Sequence, residues 1–105
     1  MKNCFIYFLQ ETFGEFFIKI GKAKNLSRRH STLQIANPHK LKLIGYIRGN
    51  SETEKKLHNK FQNLKHRGEW FRPDEELLRY IALNTIGSYC WQNNKYYKTN
   101  ENPTA

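Results

Sequence analysis

A phenol, an ammonium, a guanidinium, a carboxylate and an imidazole stand at Tyr7, Lys19, Arg29, Glu54 and His58. Side chains alternate along an extended chain, so Phe5, Tyr7 and Leu9 share one face of a strand, and Phe17, Lys19 and Gly21 share one face of the next. Tyr7 and Lys19 are therefore expected on the same side of a sheet, although each alone also reads as a core tyrosine or an exposed strand lysine. At 100° per residue, Leu26, Arg29 and Leu33 fall on one helical face and Arg28 on another. An arginine on an apolar stripe must meet an anion or carry its head out to water. Glu54 extends the stripe of Leu57, Phe61 and Leu64 back by one turn. A carboxylate there either caps the helix, as the pattern Ser51-x-x-Glu54 allows, or coordinates a ligand. His58 lies one turn after Glu54 on the same side and also fits a half-buried structural histidine.

The elements that must position these groups are short. Residues 4–10, CFIYFLQ, and 16–21, FFIKIG, are rich in aromatic and β-branched types and read as two strands. A loop with Gly14 at its turn joins them as a hairpin. Asn25 starts a helix that runs to about Ile35, where Asn37-Pro38 stops it. Residues 41–47, LKLIGYI, read as a third strand. A helix is expected from Ser51 to about Leu64. RGEWF at 67–71 reads as a loop or short extended segment, with Trp70-Phe71 as an exposed patch. Pro73 and Asp74 open a last helix to about Leu83, with Asp74, Glu75 and Glu76 at its positive end. Residues 1–86 form the expected domain and 87–105 a polar tail.

Composition sets the boundaries of function. A chain of 105 residues that is 38% apolar and 14% aromatic is one packed domain. Its formal net charge of +9 favours a polyanion as partner. The first fifty residues hold nine of the basic side chains against only Glu11 and Glu15. Lys22, Lys24, Arg28, Lys40 and Lys42 in that half are the candidate nucleic-acid contacts. Cys4 and Cys90 offer no CxxC pair, and His30, His39, His58 and His66 lack zinc-ligand spacing. No apolar run reaches the roughly 18 residues of a membrane span. CFIYFL is too short for a leader. These features lead to the expectation of an intracellular, reduced protein that meets no membrane.

The sequence "IYFLQ…FIKIGKAKNLSRRHSTLQIANPHKLKLIGYI…SETEKKLHNKF…RGEWFRP" resembles the GIY-YIG nuclease superfamily. It is most similar to the branch described through a phage gene and a meiotically up-regulated gene. The carrying elements are KIG, NLxRR, a Leu-Gln plus Asn-Pro segment, ExxLH and GEWF, in order over roughly 4–83. The resemblance implies an α/β fold, a small three-stranded antiparallel sheet flanked by helices. It implies a DNA endonuclease that hydrolyses phosphodiester bonds with one Mg²⁺ or Mn²⁺. Tyr7 takes the place of the family's first tyrosine, Lys19 of the second, Arg29 of its arginine and Glu54 of its metal-binding glutamate. Glu54 would hold the ion and Arg29 would clamp the phosphate. Tyr7 would position or deprotonate water if Lys19 lowered its pKa, and His58 is a further candidate for proton transfer. Lys19 in place of tyrosine and the lack of an asparagine after the Glu54 helix depart from the family pattern. A module that binds DNA without cutting it, or one that docks a protein on Trp70-Phe71, remains a rival reading.

Overall fold

The computed structural model describes residues 4–86, together with the backbone of 89–92 and 95–98. The hairpin expected at the N-terminus forms from β1 (Phe5–Glu11) and β2 (Ile18–Ala23). Gly14, with φ of +77°, supplies the turn. The register pairs Tyr7 with Gly21 and Leu9 with Lys19. Tyr7 and Lys19 therefore do share a face. On the other side of β1 runs β3 (Leu41–Arg48), also antiparallel, with a register shift between Phe8 and Leu9.

The sheet is wider than expected. RGEWF is not a loop: β5 (Trp70–Phe71) pairs with β2, and β4 (Lys65–Arg67) pairs with β5. The result is a five-stranded antiparallel sheet in the order β3-β1-β2-β5-β4 instead of a three-stranded one. Phe71 is fully buried at 0% exposure, and Trp70 is half-buried, so the expected exposed Trp70-Phe71 patch does not exist. Both side chains are consumed by packing, Phe71 in one core cluster and Trp70 against the other.

Each face of the sheet carries its own core. Ile6, Phe8, Ile18 and Ile20 point to one side, where they meet Leu57, Phe61 and Leu64, then Leu77 and Ile81. These come from α2 (Ser51–Lys60), the 3₁₀ turn that follows it at Gln62–Leu64, and α3 (Glu75–Asn84). The helix expected to reach Leu64 thus ends four residues earlier, and the 3₁₀ turn delivers Leu64 to the core. Tyr7, Leu9, Ala23 and Leu41 point to the opposite side and are covered by Leu26 and Leu33 of α1 (Leu26–Ile35). Asn25 caps α1, its side chain accepting from the Arg28 N–H at 2.9 Å.

Of the expected tail, 87–105, only the backbone of β6 (Tyr89–Gln92) and β7 (Lys95–Lys98) falls within the described residues, where the two pair antiparallel. Among the described residues, no helix is long and apolar enough to cross a membrane.

Candidate functional site

Gly21 is where the site begins. A Cβ at this position would collide with the Oη and Cζ of Tyr7 and lie 3.0 Å from its Cε1. The glycine lets the phenol lie across the neighbouring strand, inside the cluster covered by α1. Tyr7 is only 2% exposed. Around its phenol a cavity of about 320 Å³ is lined by Tyr7, Lys19, Lys22, Arg29, Leu33, Glu54 and Glu69. Four of the five candidate catalytic side chains therefore meet in one place, supplied by β1, β2, α1 and α2.

Glu54 reaches this cavity from a helix that packs on the other face of the sheet. β5 pairs with β2 only at Ile18 and Lys19. Beyond them the outer edge of β2 is closed by other means: the Ile20 N–H donates to the Glu69 carbonyl at 3.0 Å, and the Ile20 carbonyl accepts from His58 Nε2 at 2.9 Å. α2 thus lies against this edge, and Glu54, one turn before His58, comes round it. The capping role suggested by Ser51-x-x-Glu54 does not hold. The N-cap is Asn50, whose side chain accepts from the Glu52 and Thr53 N–H groups, while Thr53 Oγ1 accepts from the Asn50 N–H at 3.1 Å. The box is shifted by one residue, and Glu54 is not part of it.

His58 does not line the cavity. A carbonyl can only accept, so the Nε2 that meets Ile20 must carry its proton. The same nitrogen lies 4.0 Å from Glu54 Oε2, and the ring meets Phe71 edge-on at 5.1 Å.

Lys19 and Tyr7 differ from expectation in their electrostatics. The Lys19 ammonium pairs with Glu69 at 3.1 Å and lies 5.4 Å from the centre of the Trp70 ring. Glu69 is not a residue that strand or helix periodicity singles out. It sits after Gly68, at φ +56°, in the β4–β5 connection, and an acid immediately before the Trp70-Phe71 pair is its one signal. The phenol of Tyr7 is pushed up to about 12 instead of down. Burial is the main cause; the Arg29 charge opposes it, and Glu69 and Glu54 reinforce it.

The two adjacent arginines are distinguished by place. Both are exposed, yet Arg29 lines the cavity beside Tyr7 and Arg28 does not. A second depression of about 370 Å³, lined by Ala23, Lys24, Asn25, Arg28, Arg29 and Thr32, shares Arg29 with the first. Of the candidate DNA contacts, Lys24 and Arg28 line this groove and Lys22 the cavity at Tyr7, whereas Lys40 and Lys42 line neither. His30, also on α1, serves the fold. Its Nε2 meets the Leu41 carbonyl at 2.8 Å and ties the helix to β3. Burial lowers its pKa, Lys40 adds to the lowering and the hydrogen bond opposes it.

The profile of the T5orf172 domain family matches residues 4–85 of this chain. No curated protein and no solved structure matches it significantly.

Proposed function

The chain belongs to the T5orf172 domain family, which fits the GIY-YIG superfamily at a coarse level, and from this we propose that it is a divalent-metal-dependent DNA endonuclease of the GIY-YIG type. The observation that carries the reading is the cavity that gathers Tyr7, Lys19, Lys22, Arg29 and Glu54, opening beside a groove lined by Lys24 and Arg28.

The donor set suits a hard, hydrated cation. Among the described residues, no three His, Cys, Asp or Glu side chains converge as a closed cage. Glu54 therefore fits an ion that keeps most of its waters and is shared with a substrate phosphate, as Mg²⁺ or Mn²⁺ would be. Such an ion, when bound, would acidify a coordinated water and offset charge on the phosphate. Arg29 offers a fork of donors to the non-bridging oxygens of the scissile group. Tyr7, protonated at neutral pH, serves as a hydrogen-bond donor that orients phosphate or water and not as the base. Lys24 and Arg28 extend the positive track along the DNA backbone, giving affinity without base specificity.

The raised pKa of Tyr7 and the Lys19–Glu69 pair also favour a second reading, in which the module binds DNA and does not cut it. One experiment separates the two. Supercoiled plasmid is incubated with the protein in Mg²⁺, in Mn²⁺ and in a chelator, and DNA retention is followed in parallel. The endonuclease reading expects nicking only with the ion, lost in Glu54→Ala while retention persists. Retention without nicking in either ion establishes the second reading. A folded Glu54→Ala protein that still nicks removes the metal role.

A further inference from the structure

The β1–β2 connection exposes aromatic rings that its fold does not need. Phe13 is 62% exposed and Phe16 is 47% exposed. Phe16 also holds φ of +55°, a left-handed conformation that costs a bulky side chain energy. The loop is nevertheless braced along its length. Gln10 Nε2 donates to the Phe16 carbonyl at 3.1 Å, the Phe17 N–H donates to Glu11 Oε1 at 3.2 Å, and Thr12 Oγ1 donates to the Lys40 carbonyl at 2.8 Å. Strain and exposed apolar surface maintained by a fixed scaffold point to a ligand.

The rings are arranged as stacking platforms. Phe13 lies flat against His39, with centroids 4.3 Å apart and planes 22° from parallel. Phe17 lies flat against His66 at 4.1 Å and 11°. His39 precedes β3 and His66 belongs to β4, so the two pairs sit toward opposite edges of the sheet with the β1–β2 connection between them. Exposed cations adjoin each imidazole in sequence: Lys40 beside His39, and Lys65 and Arg67 beside His66. Phe17 stands two residues before Lys19, which lines the cavity.

We propose that this end of the sheet binds an unpaired stretch of a DNA strand, its bases stacking on the Phe13–His39 and Phe17–His66 pairs and its phosphates meeting Lys40, Lys65 and Arg67. The proposal rests on the DNA reading of the adjoining cavity and adds the form of substrate. Bases within a duplex already have both faces covered by neighbours, so only an unpaired or splayed base has a face to offer a ring. The positive flanks match a polyanion and suit an apolar peptide less well.

The test compares a fluorescent single strand with the duplex of the same sequence, titrated with the wild-type protein, Phe13→Ala, Phe17→Leu and Phe13→Trp. Phe13 is exposed, so its replacement leaves the fold intact; a melting curve checks Phe17→Leu. Expected is a roughly 5- to 100-fold loss of single-strand affinity in Phe13→Ala, with duplex affinity unchanged. Phe13→Trp keeps single-strand binding, and its emission is quenched on titration. Equal losses on both DNAs, or no loss on either, overturn the proposal. So does a wild-type protein that binds duplex and ignores the single strand, which leaves the cavity reading standing. A wild-type protein that binds neither DNA removes both.

Discussion

Gly21→Ala tests the geometry of the site without assuming any activity. The added Cβ would overlap the Oη and Cζ of Tyr7, and Cε1 would be 3.0 Å away. The ring can move only toward the cavity that its phenol lines, because Tyr7 is 2% exposed and packs elsewhere with Leu9, Ala23 and Leu41 under Leu26 and Leu33. Forcing a side chain into such a site costs about 1–3 kcal/mol. Replacing glycine stiffens the unfolded chain and returns about 0.4–1 kcal/mol. The net expectation is destabilisation of about 1–2 kcal/mol. Tyr7→Phe should give no relief, since the collision includes Cζ as well as the hydroxyl. Tyr7→Leu should, so Gly21→Ala in that background is expected to be neutral or slightly stabilising. Urea unfolding of the four proteins closes the cycle, with a coupling of about 1–3 kcal/mol between positions 7 and 21. The same displacement should bring the Tyr7 phenol back from about 12 toward its ordinary 10.0, read by ultraviolet titration against Tyr7→Phe. A Gly21→Ala cost that is the same in both backgrounds would refute the idea that this glycine exists to seat the phenol.

Asn50→Ala should cost about 0.5–2 kcal/mol in chemical denaturation, whereas Ser51→Ala should stay within about 0.5, because Asn50 is the cap. The raised pKa of Tyr7 means that the folded state favours the neutral phenol. Its stabilisation is complete below pH 10 and is lost as pH rises through about 12, an alkaline loss absent from Tyr7→Phe. His30 works in the opposite sense. Its lowered pKa gives stability that is present above 6.5 and lost on acidification below it, and His30→Gln should flatten that acid limb of the unfolding curve. Single-turnover cleavage should fall by roughly 10²-fold or more in Arg29→Ala without rescue by Arg29→Lys, while Arg28→Ala should mainly reduce the salt slope of DNA binding by about one unit; equal rates for the two alanine variants would remove the assignment of Arg29.

Alternation over CFIYFLQ and FFIKIG is enough to put Tyr7 and Lys19 on one face, because a hairpin with a defined glycine turn leaves little freedom of register. β4 and β5 are not legible for the same physical reason. A two-residue strand and an exposed three-residue strand of Lys65, His66 and Arg67 are too short to show a period, and they exist only because the edge of β2 is there to pair with. The cap of α2 falls one residue away from its expected place because Asn50 and Ser51 both have capping side chains, and only backbone geometry decides between them. The sign of the Tyr7 shift is hidden from the sequence because burial sets it, and only the folded chain brings Arg29 to oppose that effect and Glu69 and Glu54 to reinforce it. The charge nearest in the strand pattern is therefore not the charge that acts on the phenol.

The short pairing of β5 with β2 explains how a site can straddle two faces of one sheet. Tyr7 belongs to the core under α1, whereas α2 packs its Leu57 into the core of the opposite face. A carboxylate on α2 reaches the phenol only at an edge, and the sheet has one where β5 stops pairing with β2 after Lys19. The Ile20 carbonyl at that point would be left without a strand partner; His58 supplies the proton it needs. The hydrogen bond fixes the height of α2 along β2, and the helical repeat then places Glu54 one turn away, where the Tyr7 ring forms part of the cavity wall. His58 therefore acts as a strut for Glu54, and its Nε2 is held in that role. The short β5 does two jobs at once. Its start at Trp70 leaves the edge of β2 beyond Lys19 through which Glu54 enters, and the residue before it, Glu69, pairs with Lys19.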